Sequence, residues 1–125
     1  MVEIMGYTTW YEFSTKENKN KVSDIVSYMN QKYMEKDWYY PFSFDDYLDD
    51  DDIYNFEIVC DEWNKWYDHD EEMLELSKQF PETVFCLEGE GEESGDIWRT
   101  YYKNGKAQHC PAKIVFDEYD ENKLD

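Results

Sequence analysis

The stretch Ile97-Trp98-Arg99-Thr100-Tyr101-Tyr102-Lys103-Asn104-Gly105-Lys106 decides the fold. Ile97 to Tyr102 has the aromatic and β-branched content of a strand, and Asn104-Gly105 puts the two residues most tolerant of positive φ at a two-residue turn. The chain is therefore expected to double back as a hairpin. Downstream, a last strand broken by Pro111 runs through Ile114 and Phe116, and residues 117–125 read as a polar tail. Upstream, Thr83 to Leu87 has the composition of a buried strand, and the glycine-rich Gly89-Glu90-Gly91-Glu92-Glu93-Ser94-Gly95-Asp96 reads as the connection between them. Three closing strands then form an antiparallel meander.

Two helices precede it. Asp68 or Asp70 caps a helix over about 69–80, with Glu71 and Glu72 in its first turn, where the helix dipole favours carboxylates. Its apolar face carries Met73, Leu74, Ser77 and Phe80, and Pro81 ends it. Earlier, Ser14 and Glu17 have capping-box spacing, and Val22, Ile25, Val26, Met29 and Tyr33 repeat with helical period, which predicts a helix over about 16–36. Ile4 to Phe13 alternates as a first strand, and Phe56, Ile58 and Cys60 alternate with polar residues in another over 54–62. Residues 37–54 have no periodicity and read as a long loop anchored by Trp38, Tyr39, Tyr40, Phe42, Phe44 and Tyr47, which serve as a lid on the core or as exposed anchors for a partner. The expected order is β-α-β-α-β-β-β: an α+β domain spanning 1–125, with a single mixed or antiparallel sheet and both helices on one face.

Composition narrows the function. With 12 basic against 31 acidic residues the net charge is −19, which repels nucleic acid and anionic membranes alike. Aromatic residues at 19% argue against a disordered acidic chain. Cys60, Cys86 and Cys110 are too few and too far apart for a disulfide framework or a zinc pair, which suits a reducing cytoplasm. No secretory leader or membrane-length apolar run is legible.

The chemistry-bearing residues do not assemble into a catalytic or cofactor motif. Asp49 to Asp52 supplies oxygen ligands but fits no EF-hand frame, and His69 and His109 belong to no metal-binding spacing. His109 and Cys110 are strand neighbours that face opposite ways, so they cannot form a nucleophile pair. The glycine-rich stretch carries Glu90, Glu92 and Glu93, which would repel phosphate. No enzyme activity, cofactor or metal is expected. What needs explaining is the acid concentration: Asp45, Asp46, Asp49, Asp50, Asp51, Asp52, Glu57, Asp61, Glu62, Asp68, Asp70, Glu71 and Glu72 stand against the single base Lys65, a net −12 over residues 45–72. One reading is a generic solvated acidic surface. The other is a surface that imitates the phosphate array of nucleic acid for a basic groove on a partner protein.

Several stretches carry a family likeness: Lys65-Trp66, Leu76-Ser77-Lys78-Gln79-Phe80-Pro81, Phe85 to Glu92, Gly95-Asp96-Ile97-Trp98 and Tyr102 to Lys106. On these residues the chain resembles the YubB ferredoxin-like domain and a set of small proteins encoded by phages and mobile elements. Met5-Gly6-Tyr7-Thr8-Thr9 is similar to the opening strand of short phage proteins. The resemblance implies a ferredoxin-like α+β sandwich and a phage or prophage context. It carries over no site residue. With the acid cluster it leads to the expectation of a non-enzymatic phage inhibitor acting on a host CRISPR effector, nuclease, or restriction or repair complex.

Overall fold

A computed structural model of the chain describes residues 7–34 and 41–125. Trp38, Tyr39 and Tyr40, the start of the expected first strand and the end of the expected first helix lie outside those residues. The chain is α+β, with one open five-stranded sheet in which every neighbouring pair is antiparallel. In chain order the elements are β1 (Thr9–Glu17), α1 (Val22–Met29, continued by a π turn over Asn30–Met34), β2 (Glu57–Val59), α2 (His69–Gln79), β3 (Val84–Gly91), β4 (Ile97–Lys103) and β5 (Lys106–Pro111). Across the sheet the order is β2-β1-β3-β4-β5. The ferredoxin-like arrangement implied by the resemblance is not confirmed by this order.

The Asn104-Gly105 hairpin forms as its chemistry requires, with φ of 49° and 76° at the two turn residues. Lys103 pairs with Lys106 across it, and the register continues through Thr100 opposite His109. β3 runs further than its composition suggested, because Gly89 and Gly91 belong to the strand and the connection is only Glu92 to Asp96. Gly89 lies opposite Trp98, and a Cβ there would sit 2.2 Å from the indole ring. The bare backbone makes room for an aromatic neighbour, which is one reason for a glycine inside a strand.

The first strand and helix are divided differently from the expectation. Ser14 pairs with both Glu57 and Cys86, and the Thr15 N–H donates to the Phe56 carbonyl at 3.0 Å. Strand partners on both sides thus claim the backbone that a capping box at Ser14 and Glu17 would need. The helix begins at Val22, without a side-chain cap. Its Val22 and Ser23 N–H groups donate to the Asp52 and Asp50 carbonyls at 3.1 and 2.8 Å. The acid run therefore closes the helix N-terminus with its backbone and sets its carboxylates beside the positive end of the dipole.

One sheet face carries Tyr11, Phe13, Phe85, Leu87 and Tyr102, which join Val22, Ile25, Val26 and Met29 of α1 and Met73 and Leu76 of α2 in a single core. Phe42 and Phe44 are buried in it too, so this part of the aromatic loop is a lid rather than an exposed anchor. Leu76 replaces Leu74 as the buried leucine of α2. β5 stops at Pro111, short of the strand expected to reach Ile114 and Phe116, and those two side chains are exposed.

Candidate partner-binding surface

The thirteen acids fall into three groups. The first caps α1. Asp45 and Asp46 form a short 3-10 turn to Tyr47, and Asp49 to Asp52 lie over the helix N-terminus. Here Asp50 is partly committed: one carboxylate oxygen accepts the Tyr54 hydroxyl and the other the Asp52 N–H at 3.0 Å. The second group follows the β2 edge of the sheet. Glu57 lies in β2, and Asp61 and Glu62 follow it in the turn that brings Asn64 against Thr9. All three are exposed. The third group, Asp68, Asp70, Glu71 and Glu72, opens α2.

That third group divides between architecture and solvent. Glu72 is only 5% exposed and accepts the Trp66 indole N–H, so it is no part of an acidic face. Three buried tyrosines tie the sheet and α1 to this region: the Tyr102 hydroxyl donates to Asp70 Oδ1 at 2.5 Å, that of Tyr33 to the Glu72 carbonyl at 2.8 Å, and that of Tyr11 to the Trp66 carbonyl at 3.2 Å. Asp68 occupies the N-cap position without making a side-chain cap bond, so it and Glu71 stay free to face a partner.

Burial holds all three of these phenols in their neutral form, with Tyr11 pushed up to about 12 and Tyr33 and Tyr102 raised as well, the latter also by Asp70. Because the folded-state values lie above the unfolded value near 10, the stability they contribute is present below pH 10 and is lost as pH rises toward 12 and beyond. In a titration of phenolate absorbance Tyr11, Tyr33 and Tyr102 should ionise only as the protein unfolds, and their ionisation near pH 10 with the fold intact would contradict this packing.

Ion pairs do little to offset the acids. Among the described residues Lys21 lies 3.9 Å from Asp51, at exposed positions where such a pair is weak, and the half-buried His69 lies 3.9 Å from Asp70, a contact that is an ion pair only when the imidazole is protonated. His69 is held by its Nδ1–H on the Trp66 carbonyl at 2.8 Å and stacks on Trp98 at 5.1 Å. Among the described residues no three His, Cys, Asp or Glu side chains are placed to hold a metal ion. Burial raises the Cys60 and Cys86 thiols, which disfavours the nucleophilic thiolate. His109 bonds Thr100 at 2.8 Å on the Trp98 side of β5, while Cys110 lines a hollow on the other face with Glu88 and Arg99.

A second charged feature escaped the sequence reading. On the sheet face away from the helices Glu12 stands directly opposite Glu88, and Glu88 opposite Arg99. Arg99 grips Glu88 through Nε and Nη2 at 2.9 and 2.7 Å. Glu12 is raised by burial first and then by Glu88 and Glu57, as expected for like charges paired across strands. Only the register brings these three together, and they lie 11 to 87 positions apart in the chain.

No family model, curated protein or solved structure matches the chain. Among the described residues no helix is long and apolar enough to cross a membrane. The class that fold and surface define is thus an open-sheet α+β protein with an acidic edge.

Proposed function

We propose that the protein is a non-catalytic inhibitor of the kind phages encode, acting in the host cytoplasm, whose acidic edge occupies the basic groove of a host nucleic-acid-binding protein such as a CRISPR effector, nuclease, or restriction or repair complex. The observation that carries this reading is that the first two acid groups follow one another in the chain, one over the α1 N-terminus and the next along the β2 edge of the sheet. Asn55 bonds the Lys16 carbonyl near one end of β1, and Asn64 pairs with Thr9 at the other. Residues 55–64 therefore run along roughly 20 Å of β1, at about 3.3 Å per residue, with Glu57, Asp61 and Glu62 on that run and Asp49 to Asp52 beyond its Asn55 end, over the α1 N-terminus. One strand of B-DNA presents a phosphate about every 3.4 Å. Asp49, Asp51, Asp52, Glu57, Asp61 and Glu62 are the exposed carboxylates that would stand in for such an array. Exposed like charges at this density repel one another, and a cationic groove would relieve the repulsion.

A second reading has its own support: the run caps α1 through its backbone, and Glu57, Asp61 and Glu62 blunt an edge strand against pairing. On that view the protein is an accessory interaction module and its carboxylates serve only solvation and edge protection. Duplex DNA separates the two. A host protein captured on the immobilised chain should be displaced by excess DNA if the acids occupy a nucleic-acid groove. A partner that ignores DNA would favour the module.

A further inference from the structure

Among the described residues the sheet has two free edges, β2 and β5, and the chain treats them differently. β2 is three residues long and bordered by exposed carboxylates, which discourages pairing with another chain. β5 is six residues long and carries Ala107, Gln108, His109 and Cys110 between its ends, with no carboxylate among them. The Ala112 N–H donates to the Ile97 carbonyl at 2.8 Å, and the strand alternates from there. The backbone groups of Ala107 and His109 are thereby directed to the free edge.

Beyond β5 the chain presents apolar side chains to solvent: Ile114, Val115, Phe116, Tyr119 and Leu124 are 64, 82, 92, 77 and 64% exposed. Asp117, Glu118, Asp120 and Glu121 are interleaved with them. At the opposite end of β5 a groove of about 670 Å³ opens, lined by Pro81, Val84, Tyr102, Ala107, Lys103 and Lys106, with Lys78 beside the turn at Gly105. None of these three lysines is ion-paired among the described residues. The segment and the groove are complementary, apolar to apolar and carboxylate to ammonium. Within one chain they point apart, since Ile114 approaches Gly95 at the far end of β4.

A two-fold axis resolves this. If β5 pairs antiparallel with β5 of a second copy, the reversed direction carries the residues after Pro111 of each chain past the other's Asn104-Gly105 turn. We propose that the chain forms an isologous homodimer through its β5 edges, in which residues 114–124 of each copy fill the lysine-rimmed hairpin groove of the other. The inference stands apart from the acidic edge, which lies on the opposite side of the sheet.

Light scattering of the full chain tests it. The native protein should run at twice 15.3 kDa. Ala107→Pro removes an edge-facing N–H while leaving the bonds to β4, and Phe116→Asp puts charge on a side chain with no packing to lose; each should give a folded protein at 15.3 kDa. Phe116→Asp decides the matter if Ala107→Pro fails to fold. A native chain that stays monomeric, or a dimer that persists in Phe116→Asp, would overturn the proposal.

Discussion

Replacing Phe13 by alanine should cost about 3–5 kcal/mol of folding free energy, as removal of a fully buried aromatic does. Phe13 is 0% exposed, and its ring centroid lies 5.8 to 6.1 Å from those of Phe42, Phe44, Phe56 and Phe85. It joins β1, β3, the segment before β2 and the aromatic loop, so its loss opens a cavity that none of these can close alone. Domains of this size are stable by about 5–15 kcal/mol in total. The variant should therefore unfold at far lower urea than the native chain, with a similar slope, as followed by tryptophan fluorescence. A shift equivalent to less than about 1 kcal/mol would mean that the four rings do not depend on Phe13.

Neutralising the edge should do the reverse, harming function while sparing the fold. The set Asp45→Asn, Asp46→Asn, Asp49→Asn, Asp51→Asn, Asp52→Asn, Glu57→Gln, Asp61→Asn and Glu62→Gln avoids Asp50, Asp70 and Glu72, whose carboxylates make internal hydrogen bonds. With each exposed pair worth about 0.4 kcal/mol, eight losses amount to roughly 3 kcal/mol, on the order of a hundredfold in affinity. Relief of self-repulsion and loss of the carboxylates beside the α1 dipole oppose each other, so thermal stability should change little. A solvated module would keep its partner at undiminished affinity.

Much of the fold is legible locally. The Asn104-Gly105 turn dictates its hairpin whatever surrounds it, and α2 spans nearly the expected residues before Pro81, although Asp68, one of the two caps expected, makes no side-chain cap bond. The first strand and helix are not legible in the same way. Ser14 to Glu17 satisfies a capping pattern and a strand equally well, and the choice falls to β2 and β3, which come tens of residues later in the chain. The acid cluster is obvious from composition, yet its division of labour is not. Glu72 stands one residue before Met73 and four before Leu76, so helical phase already places it on the buried stripe. Asp50 carried no such signal, because its partners depend on how a loop crosses α1. The Glu12, Glu88 and Arg99 row needed the sheet register, which no local pattern encodes.

The central claim is that carboxylates along one sheet edge are read by a cationic channel. Its most direct test is the dissociation constant of the captured partner measured between roughly 50 and 200 mM salt, a range across which charge-led complexes weaken steeply. A fall in affinity of about tenfold or more, abolished in the neutralised chain, is the predicted result. An affinity that stays flat across that range would contradict the account.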